Sequence, residues 1–283
     1  MERILIPTDF SRAAGNATEY ALSLFNGCQC TFQFLNTYTP DFINSRVMAV
    51  TPITGLEEDH MQRHSEEGLA YLVERLEREY PGSGNTYETY SSFSLLPEEI
   101  RERVNMGQTD LIVSGTTGAS GLKEVFLGSN TVRILRAADQ CPVLVVPEES
   151  GFIKPEKVGF ATDFSRPFTG RQLEQIHFFA TRFHSELEIV HIGTEDALNS
   201  LQRFHKKELF LELDPLKPKM VWLSAEASKA GALQRFIAES GIDLLILVRN
   251  EHSPVEELLR EPVVKRMAFH IQVPMLVLPQ ATL

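Results

Sequence analysis

Hydrophobic and polar positions follow one pattern along the chain: short apolar runs alternate with segments whose apolar residues recur at helical spacing. Before residue 150 the runs predict strands near 3–7, 31–36, 86–92, 110–114 and 143–146, and helices near 13–25, 57–79, 96–106 and 129–138. After residue 150 they predict a helix near 170–183 and strands near 157–161, 186–191, 219–224, 243–248 and 275–278. Apolar runs without polar alternation are typical of parallel strands buried on both faces. The alternation predicts an α/β class with doubly wound sheets, because parallel strands need crossover connections.

The two halves of the chain repeat each other. Thr8–Arg12 recurs unchanged as Thr162–Arg166, each time directly after an apolar run. Each half also carries an aspartate at the start of its fourth predicted strand, at Asp110 and Asp243, and closes on a short apolar strand next to proline. The repeat therefore predicts two domains of the same kind, each with a five-stranded parallel sheet and helices on both faces.

Polar segments mark the expected boundaries. We expect a first domain at 1–147, a linker at 148–155 that contains Gly and Pro, and a second domain at 156–283. The first half is roughly twenty residues longer than the second, and its extra residues are expected in a loop at 38–60, which is rich in turn-forming residues.

Composition narrows the class of protein. The chain has 283 residues with 43% hydrophobic and 23% charged residues, which is ordinary for globular domains. No stretch approaches the ~20 apolar residues of a membrane-spanning helix, and the start of the chain does not resemble a secretory signal. Three cysteines are too few for a disulfide framework, and Cys28 and Cys30 are interpreted as plain thiols rather than a metal or redox pair. A cytoplasmic protein without a membrane partner is expected.

Charge is unevenly distributed. The net charge is −11, of which residues 1–150, with 11 basic and 21 acidic side chains, hold −10. An acidic surface repels nucleic acid and anionic lipid, so neither is an expected partner. Any anionic ligand must be held by local groups.

A glycine-rich motif follows the fourth predicted strand. Gly115 and Gly118 lie at its carboxyl end, where α/β sheets bind ligands, and Gly128 and Ser129 open the next predicted helix. Backbone N–H groups of such a loop and of a helix N-terminus together favour a phosphate group. The motif is neither a Walker loop nor the dinucleotide fingerprint. A loop that merely turns the chain, with Ser129 as helix cap, explains it equally well on physical grounds.

The whole chain resembles the universal stress protein family in its tandem form. The resemblance is carried by Ile6–Ser11, by the Gly115-x2-Gly118-x9-Gly128-Ser129 spacing, by Leu122–Ser129 and by Cys141–Val146. It implies a five-stranded parallel sheet of order 3-2-1-4-5 in each half. In that order Asp9 and Gly115 end the two strands at the switch point, where the general rule places a ligand.

The resemblance also implies that the first half binds ATP. Pro7, Thr8 and Asp9 would border the adenosine, with Asp9 accepting a hydrogen bond near the ribose. Thr37 would approach the adenine through its backbone, and Ser114 and Gly115 would line the ribose. The residues that would hold the phosphates are Gly118, Gly128, Ser129, Asn130 and Thr131. A Mg²⁺ between phosphate oxygens fits the acidic half, whereas Lys123 is expected to be an ordinary solvated side chain.

The second half departs from this pattern. It keeps Asp163, but the segment 248–262 contains no glycine, so Asp163 is expected to be structural, for example as a helix cap. His60 and His64 stand one helical turn apart, and a solvated helix face is a more economical interpretation than a metal site because no third ligand is near.

Three functions fit these observations: an ATP-binding regulatory protein of the stress response, a slow ATPase or nucleotidyl-transfer enzyme, and a scaffold that binds no nucleotide. The intact glycine spacing disfavours the scaffold. Phosphoryl transfer needs a positioned nucleophile and charge neutralisation, and neither a clear base nor an arginine near the loop is evident. We therefore expect one ATP per chain, in the first half, with slow or no hydrolysis.

The two closing strands predict how the halves meet. In a 3-2-1-4-5 sheet the fifth strand is an edge with unpaired backbone groups. Two such edges on one chain can pair, and the covalent link favours pairing within the chain. We expect an intrachain pseudo-dimer in which Val143–Val146 and Met275–Leu278 run antiparallel. Association of whole chains into homodimers stays open.

Overall fold

A computed structural model describes residues 2–39, 55–116, 129–148, 150–224, 229–249 and 273–280. The described part of the first half contains five strands, β1 (Arg3–Pro7), β2 (Thr31–Thr37), β3 (Thr86–Ser92), β4 (Leu111–Gly115) and β5 (Val143–Val146). Its helices are α1 (Arg12–Leu24), α2 (Gly55–Glu79), α3 (Leu96–Asn105) and α4 (Ser129–Ala137).

The second half repeats this order. Its strands are β6 (Lys157–Ala161), β7 (Glu186–Ile192), β8 (Lys219–Leu223), β9 (Leu244–Val248) and β10 (Met275–Leu278). Its described helices are α5 (Gly170–Arg182), α6 (Ser200–Glu212) and α7 (Lys229–Ser240). The predicted strands are all present with ends that differ by a residue or less. For the inner strands, burial on both faces leaves unbroken apolar runs in the sequence.

All ten strands form one sheet in the order β3-β2-β1-β4-β5-β10-β9-β6-β7-β8. Each half therefore has the strand order 3-2-1-4-5, and the strands within each half are parallel. The expected α/β class with doubly wound parallel strands is confirmed.

Successive residues of each strand face opposite sides of the sheet. Ile4 and Ile6 of β1 pack on the side covered by α1, α2, α5 and α6, whereas Leu5 packs on the side covered by α3, α4 and α7. Both faces of β1 are thus buried, which explains why apolar and polar residues do not alternate along this strand.

The halves join through their last strands. β5 and β10 are antiparallel, with Leu144 opposite Leu276 and Val143 opposite Val277. The join expected from the sequence is therefore present, and it gives the backbone groups of two edge strands partners inside the sheet.

A second contact between the halves lies at the helix ends. Arg182, in the last turn of α5, donates to the carbonyl oxygens of Leu24 (2.7 Å) and Asn26 (2.5 Å) and to the Sγ of Cys28 (2.9 Å). Phe25 and Phe178 stack beside it with ring centroids 5.7 Å apart. Arg182 thus satisfies the carbonyl of Leu24, which the end of α1 leaves without a helical partner, and that of Asn26 in the following turn.

The cysteines are free thiols. Burial raises the pKa of Cys30 to about 11 and that of Cys141 to about 12, so both are inert at neutral pH.

The aspartates before the fourth strands are structural. Asp110 accepts hydrogen bonds from the backbone N of Arg3 at 3.0 Å and from its guanidinium at 2.8 Å, and Asp243 accepts from the backbone N of Lys157 at 2.9 Å. Burial raises the pKa of Asp110, but the bonds and charge of Arg3 outweigh this and hold the pKa below its ordinary value of 3.8. In both halves the aspartate thus links the start of the first strand to the start of the fourth strand by hydrogen bonds.

The expected loop at 38–60 is partly wrong. Helix α2 already begins at Gly55, and it has 25 residues where α6, its counterpart, has 13. The longer helix therefore holds about half of the extra residues. Within 40–54 the prediction lies outside the described residues.

Candidate functional site

A cleft opens at the carboxyl ends of β1 and β4, the neighbouring strands at which the strand order of the first half reverses. Its volume is about 190 Å³. This is less than the roughly 300–1,000 Å³ of a pocket that encloses a whole small-molecule ligand, so a larger ligand would extend out of the open side. The residues predicted from the sequence that line the cleft are Pro7, Thr8, Asp9, Thr37, Ser114, Gly115, Asn130 and Thr131.

The chain turns sharply after β1. Phe10 has a φ of 60°, in the left-handed region that residues other than glycine rarely adopt. The turn is held by two side chains, since the Oγ1 of Thr8 accepts from the N–H of Phe10 and the Oδ1 of Asp9 accepts from that of Ser11, each at 3.0 Å. The turn exposes Asp9 at the mouth of the cleft and starts α1 directly behind it.

Phe10 is held in this strained conformation by the packing of its ring on α2. A Cβ on Gly68 of α2 would lie 2.5 Å from the ring, and His64 meets it edge-on with centroids 6.2 Å apart. His64 is therefore a packing residue. In the described part of the chain no three His, Cys, Asp or Glu side chains are grouped to hold a metal ion.

Asn36, at the end of β2, is a site residue that the sequence analysis missed. Its Nδ2 donates to the carbonyl oxygen of Thr8 at 2.7 Å, and its side chain lines the cleft beside Thr37. A polar residue at the carboxyl end of a buried strand is the signal that could have found it.

Gly115 ends β4 for a reason that the sequence alone does not reveal. A Cβ at this position would lie 2.8 Å from the carbonyl oxygen of Ala13 and 3.2 Å from its Cβ. The first turn of α1 therefore occupies the space that a side chain would need. The expectation that the missing Cβ serves ligand approach has to be amended, because packing on α1 already requires glycine here.

Helix α4 begins at the cleft. Ser129 and Asn130 are exposed, and Asn130 lines the cleft. Thr131 is buried, and its hydroxyl donates to the carbonyl oxygen of Gly115 at 2.7 Å, so it ties α4 to the end of β4. Gly118, Lys123 and Gly128 lie outside the described residues.

The cleft also has a cationic and an apolar wall that the sequence analysis missed. Arg133 lines it from α4, so the expectation of no arginine near the motif is wrong. Its position four residues after Ser129 places it on the same helix face, a spacing that is visible in the sequence. Leu95, Leu96 and Pro97, at the start of α3, form an apolar side of the cleft.

The sequence model of the universal stress protein family matches residues 1–147, more than half of the chain. The chain belongs to the universal stress protein family. A universal stress protein of Methanocaldococcus jannaschii, MJ0531, is 30% identical over 152 residues, which cover 51% of this chain and 81% of that protein. The resemblance found in the sequence is thereby confirmed.

A solved universal stress protein shares the fold. The crystal structure of one from Archaeoglobus fulgidus covers 99% of this chain and 98% of its own, with 16% identity and a TM-score of 0.66. Another, solved in complex with cAMP, covers 46% of this chain and 100% of its own, with 16% identity and a TM-score of 0.35. The cAMP is a property of that relative.

In the second half of this universal stress protein the corresponding turn is covered. Phe164 repeats the left-handed backbone of Phe10 with a φ of 56°, but its side chain is 0% exposed where that of Phe10 is 37% exposed. The Nε2 of Gln202 donates to the carbonyl oxygen of Asp163 at 2.8 Å, and the Nδ1 of His205 hydrogen-bonds that of Phe164 at 2.9 Å. Both come from α6, which therefore lies over the turn.

Two further details separate the halves. His191 takes the place of Asn36, since its Nδ1 bonds the carbonyl oxygen of Thr162 at 2.9 Å, and its ring stacks on Phe164. Asp163 accepts from the N–H of Ser165 at 2.9 Å, whereas Thr169 caps α5. Asp163 thus stabilises the turn and is not the helix cap that we expected.

Among the described helices of this universal stress protein, none is both long and apolar enough to cross a membrane.

Proposed function

We propose that this universal stress protein binds one ATP per chain, in the cleft of the first half, and hydrolyses it slowly or not at all. The observation that carries the proposal is that separate segments of the chain come together at one cleft. Segments at 7–9, 37, 114–115 and 130–131, which the sequence motifs point to, line one cleft. That cleft lies at the topological switch point, where open α/β sheets bind ligands.

The walls of the cleft suit the parts of a nucleotide. The apolar side chains of Leu95, Leu96 and Pro97 offer a surface for a base, and the exposed carboxylate of Asp9 is placed to accept from ribose hydroxyls. The phosphates would extend toward the start of α4, where Ser129 and Asn130 are exposed and free helical N–H groups favour anions. Gly118 and Gly128 remain the predicted partners of the phosphates.

A magnesium ion is proposed only as part of the nucleotide. The described residues hold no group of three carboxylate, histidine or cysteine side chains, so Mg²⁺ would be bound by phosphate oxygens and water. It would neutralise phosphate charge in an acidic half of the protein.

Slow turnover follows from the groups near the cleft. Asp9 is the only carboxylate and no histidine is present among its described lining residues. Asp9 already accepts a hydrogen bond from the backbone of Ser11, which lowers its value as a general base. The proposed role is therefore regulatory binding in the cytoplasm rather than catalysis.

We also propose that the halves are separate domains, at 1–147 and 156–283. Strand β5 ends at Val146 and β6 begins at Lys157, which supports a linker between them. The second domain would bind no ATP, because α6 covers its turn and Phe164 is buried.

Calorimetric titration of the full chain with ATP tests the proposal. One site per chain is expected, and mass spectrometry of heat-released nucleotide is expected to find adenine nucleotide in the purified protein. Gly118→Val, which puts a branched side chain where phosphate should approach, is expected to weaken binding, and Gly151→Val serves as control because a Cβ there meets no atom within 4 Å. Two equivalent sites, no site, or an unaffected Gly118→Val would contradict the proposal.

A further inference from the structure

The described lining of the cleft contains two side chains with full charges, Asp9 and Arg133. Arg133 is exposed, and within the described ranges it has no hydrogen bond or ion pair. Arg103 on the adjacent α3 is different, since its guanidinium lies 2.8 Å from the carboxylate of Glu99. Among the described residues, no side chain competes with a ligand for the charge of Arg133.

The position of Arg133 on α4 directs it to the start of the helix. It follows Ser129 by four residues, which places both on one face with a rise of about 6 Å between them. Side chains of a helix lean toward its N-terminus, so the long arginine side chain can reach over the first turn. Its charge then adds to the helix N–H groups on which an anion would rest.

Local charge matters in this half of the protein. Residues 1–150 carry a net charge of −10, so the surrounding field opposes the approach of an anion. A guanidinium presents a fork of N–H donors that matches phosphate oxygens, and its charge-assisted bonds are stronger than neutral ones.

We propose that Arg133 pairs with the phosphate chain of the nucleotide and makes the cleft select nucleoside polyphosphates over the neutral nucleoside. The proposal rests on the function proposed above and adds to it a residue that sets ligand class. Arg133 then determines affinity by charge, while the walls formed by β1, β2 and α3 hold the nucleoside part.

The test compares two charge-equivalent variants of the full chain. Arg133→Gln removes the cation in the cleft, and Arg136→Gln removes an exposed arginine of the same helix that does not line the cleft. ATP and adenosine are titrated calorimetrically into wild type and both variants, at low and at high ionic strength.

Arg133→Gln is expected to weaken ATP binding roughly ten-fold or more and to leave adenosine binding within about two-fold of wild type. It is also expected to flatten the dependence of ATP affinity on salt, because a screened charge pair is lost. Arg136→Gln is expected to match wild type in all three respects.

The outcomes separate the two proposals. If wild type binds ATP and Arg133→Gln behaves like Arg136→Gln, the assignment of Arg133 is wrong and the proposed function stands. If Arg133→Gln weakens ATP and adenosine equally, Arg133 shapes the cleft and does not select charge, which also overturns the assignment. If wild type binds no nucleotide, both proposals fall together.

Discussion

The close approach of α1 to the end of β4 makes one substitution informative. In Gly115→Ala the new Cβ would lie 2.8 Å from the carbonyl oxygen of Ala13, whereas an ordinary contact begins at 3.4 Å. The start of α1 would have to move by the difference, about 0.6 Å, and its neighbour is backbone rather than a flexible side chain. Overpacking of this kind costs about 1–3 kcal/mol. We expect Gly115→Ala to lower the free energy of unfolding by that amount.

Gly15→Ala provides a matched control with the opposite sign. Gly15 lies within α1, and a Cβ there meets no atom within 4 Å. Alanine in a helix loses less conformational entropy on folding than glycine, which stabilises a protein by about 0.4–1 kcal/mol. The same chemical change is thus expected to destabilise at Gly115 and to stabilise at Gly15.

Urea unfolding followed by circular dichroism measures both effects, provided that the slope m stays constant. The midpoint of Gly115→Ala should fall and that of Gly15→Ala should rise. ATP affinity should fall as well in Gly115→Ala, because displacement of α1 disturbs the turn at Asp9. A midpoint of Gly115→Ala at or above that of wild type would show that α1 yields without cost and that packing does not explain the glycine.

Three further predictions concern pH, the contact between the halves, and turnover. Burial lowers the pKa of His191 below 6.5 despite its bond to Thr162. As the pH falls, this histidine is therefore protonated in the unfolded chain at a higher pH than in the folded protein, and stability is lost below about pH 6.5. His191→Asn should make the urea midpoint less dependent on pH between about pH 8 and pH 5; equal slopes would refute this. Arg182→Gln should cost about 1–3 kcal/mol of unfolding free energy, since three bonds to the first half are lost, while the exposed Arg101→Gln should change it by less than about 0.5 kcal/mol. Steady-state ATP turnover should stay far below the median enzyme rate of about 10 s⁻¹, and a rate near that value in clean protein would contradict regulatory binding.

The inner strands of the sheet were predictable because they are buried on both faces. The predicted strands at 143–146 and 275–278 coincide with β5 and β10, whose residues are all buried. Helix α6 was not predicted, since its apolar residues do not form one buried stripe: Leu201, Phe204 and Leu211 are exposed, while His205 and Leu209 are buried. A periodicity argument works only where one face of the helix is covered by the core.

The candidate site was predicted in outline. Repeated residues such as Asp9 stand out in the sequence, and they lie at the cleft. Asn36 and Arg133 belong to no repeated motif, and their role depends on which elements lie side by side. Gly115 shows a further limit, because a glycine required by contact with Ala13 of α1 looks the same in the sequence as one required by a ligand.

The join between β5 and β10 has a consequence for how the two halves can diverge. In a dimer of identical subunits, every substitution appears on both sides of the axis, so a change that improves one copy is imposed on the other. A single chain with the same join is released from that constraint. Phe164 is buried under α6 while Phe10 is 37% exposed, and the last residue of α5 is Arg182 where that of α1 is Leu24. Each half of this protein can therefore specialise while the other keeps the shared sheet complete.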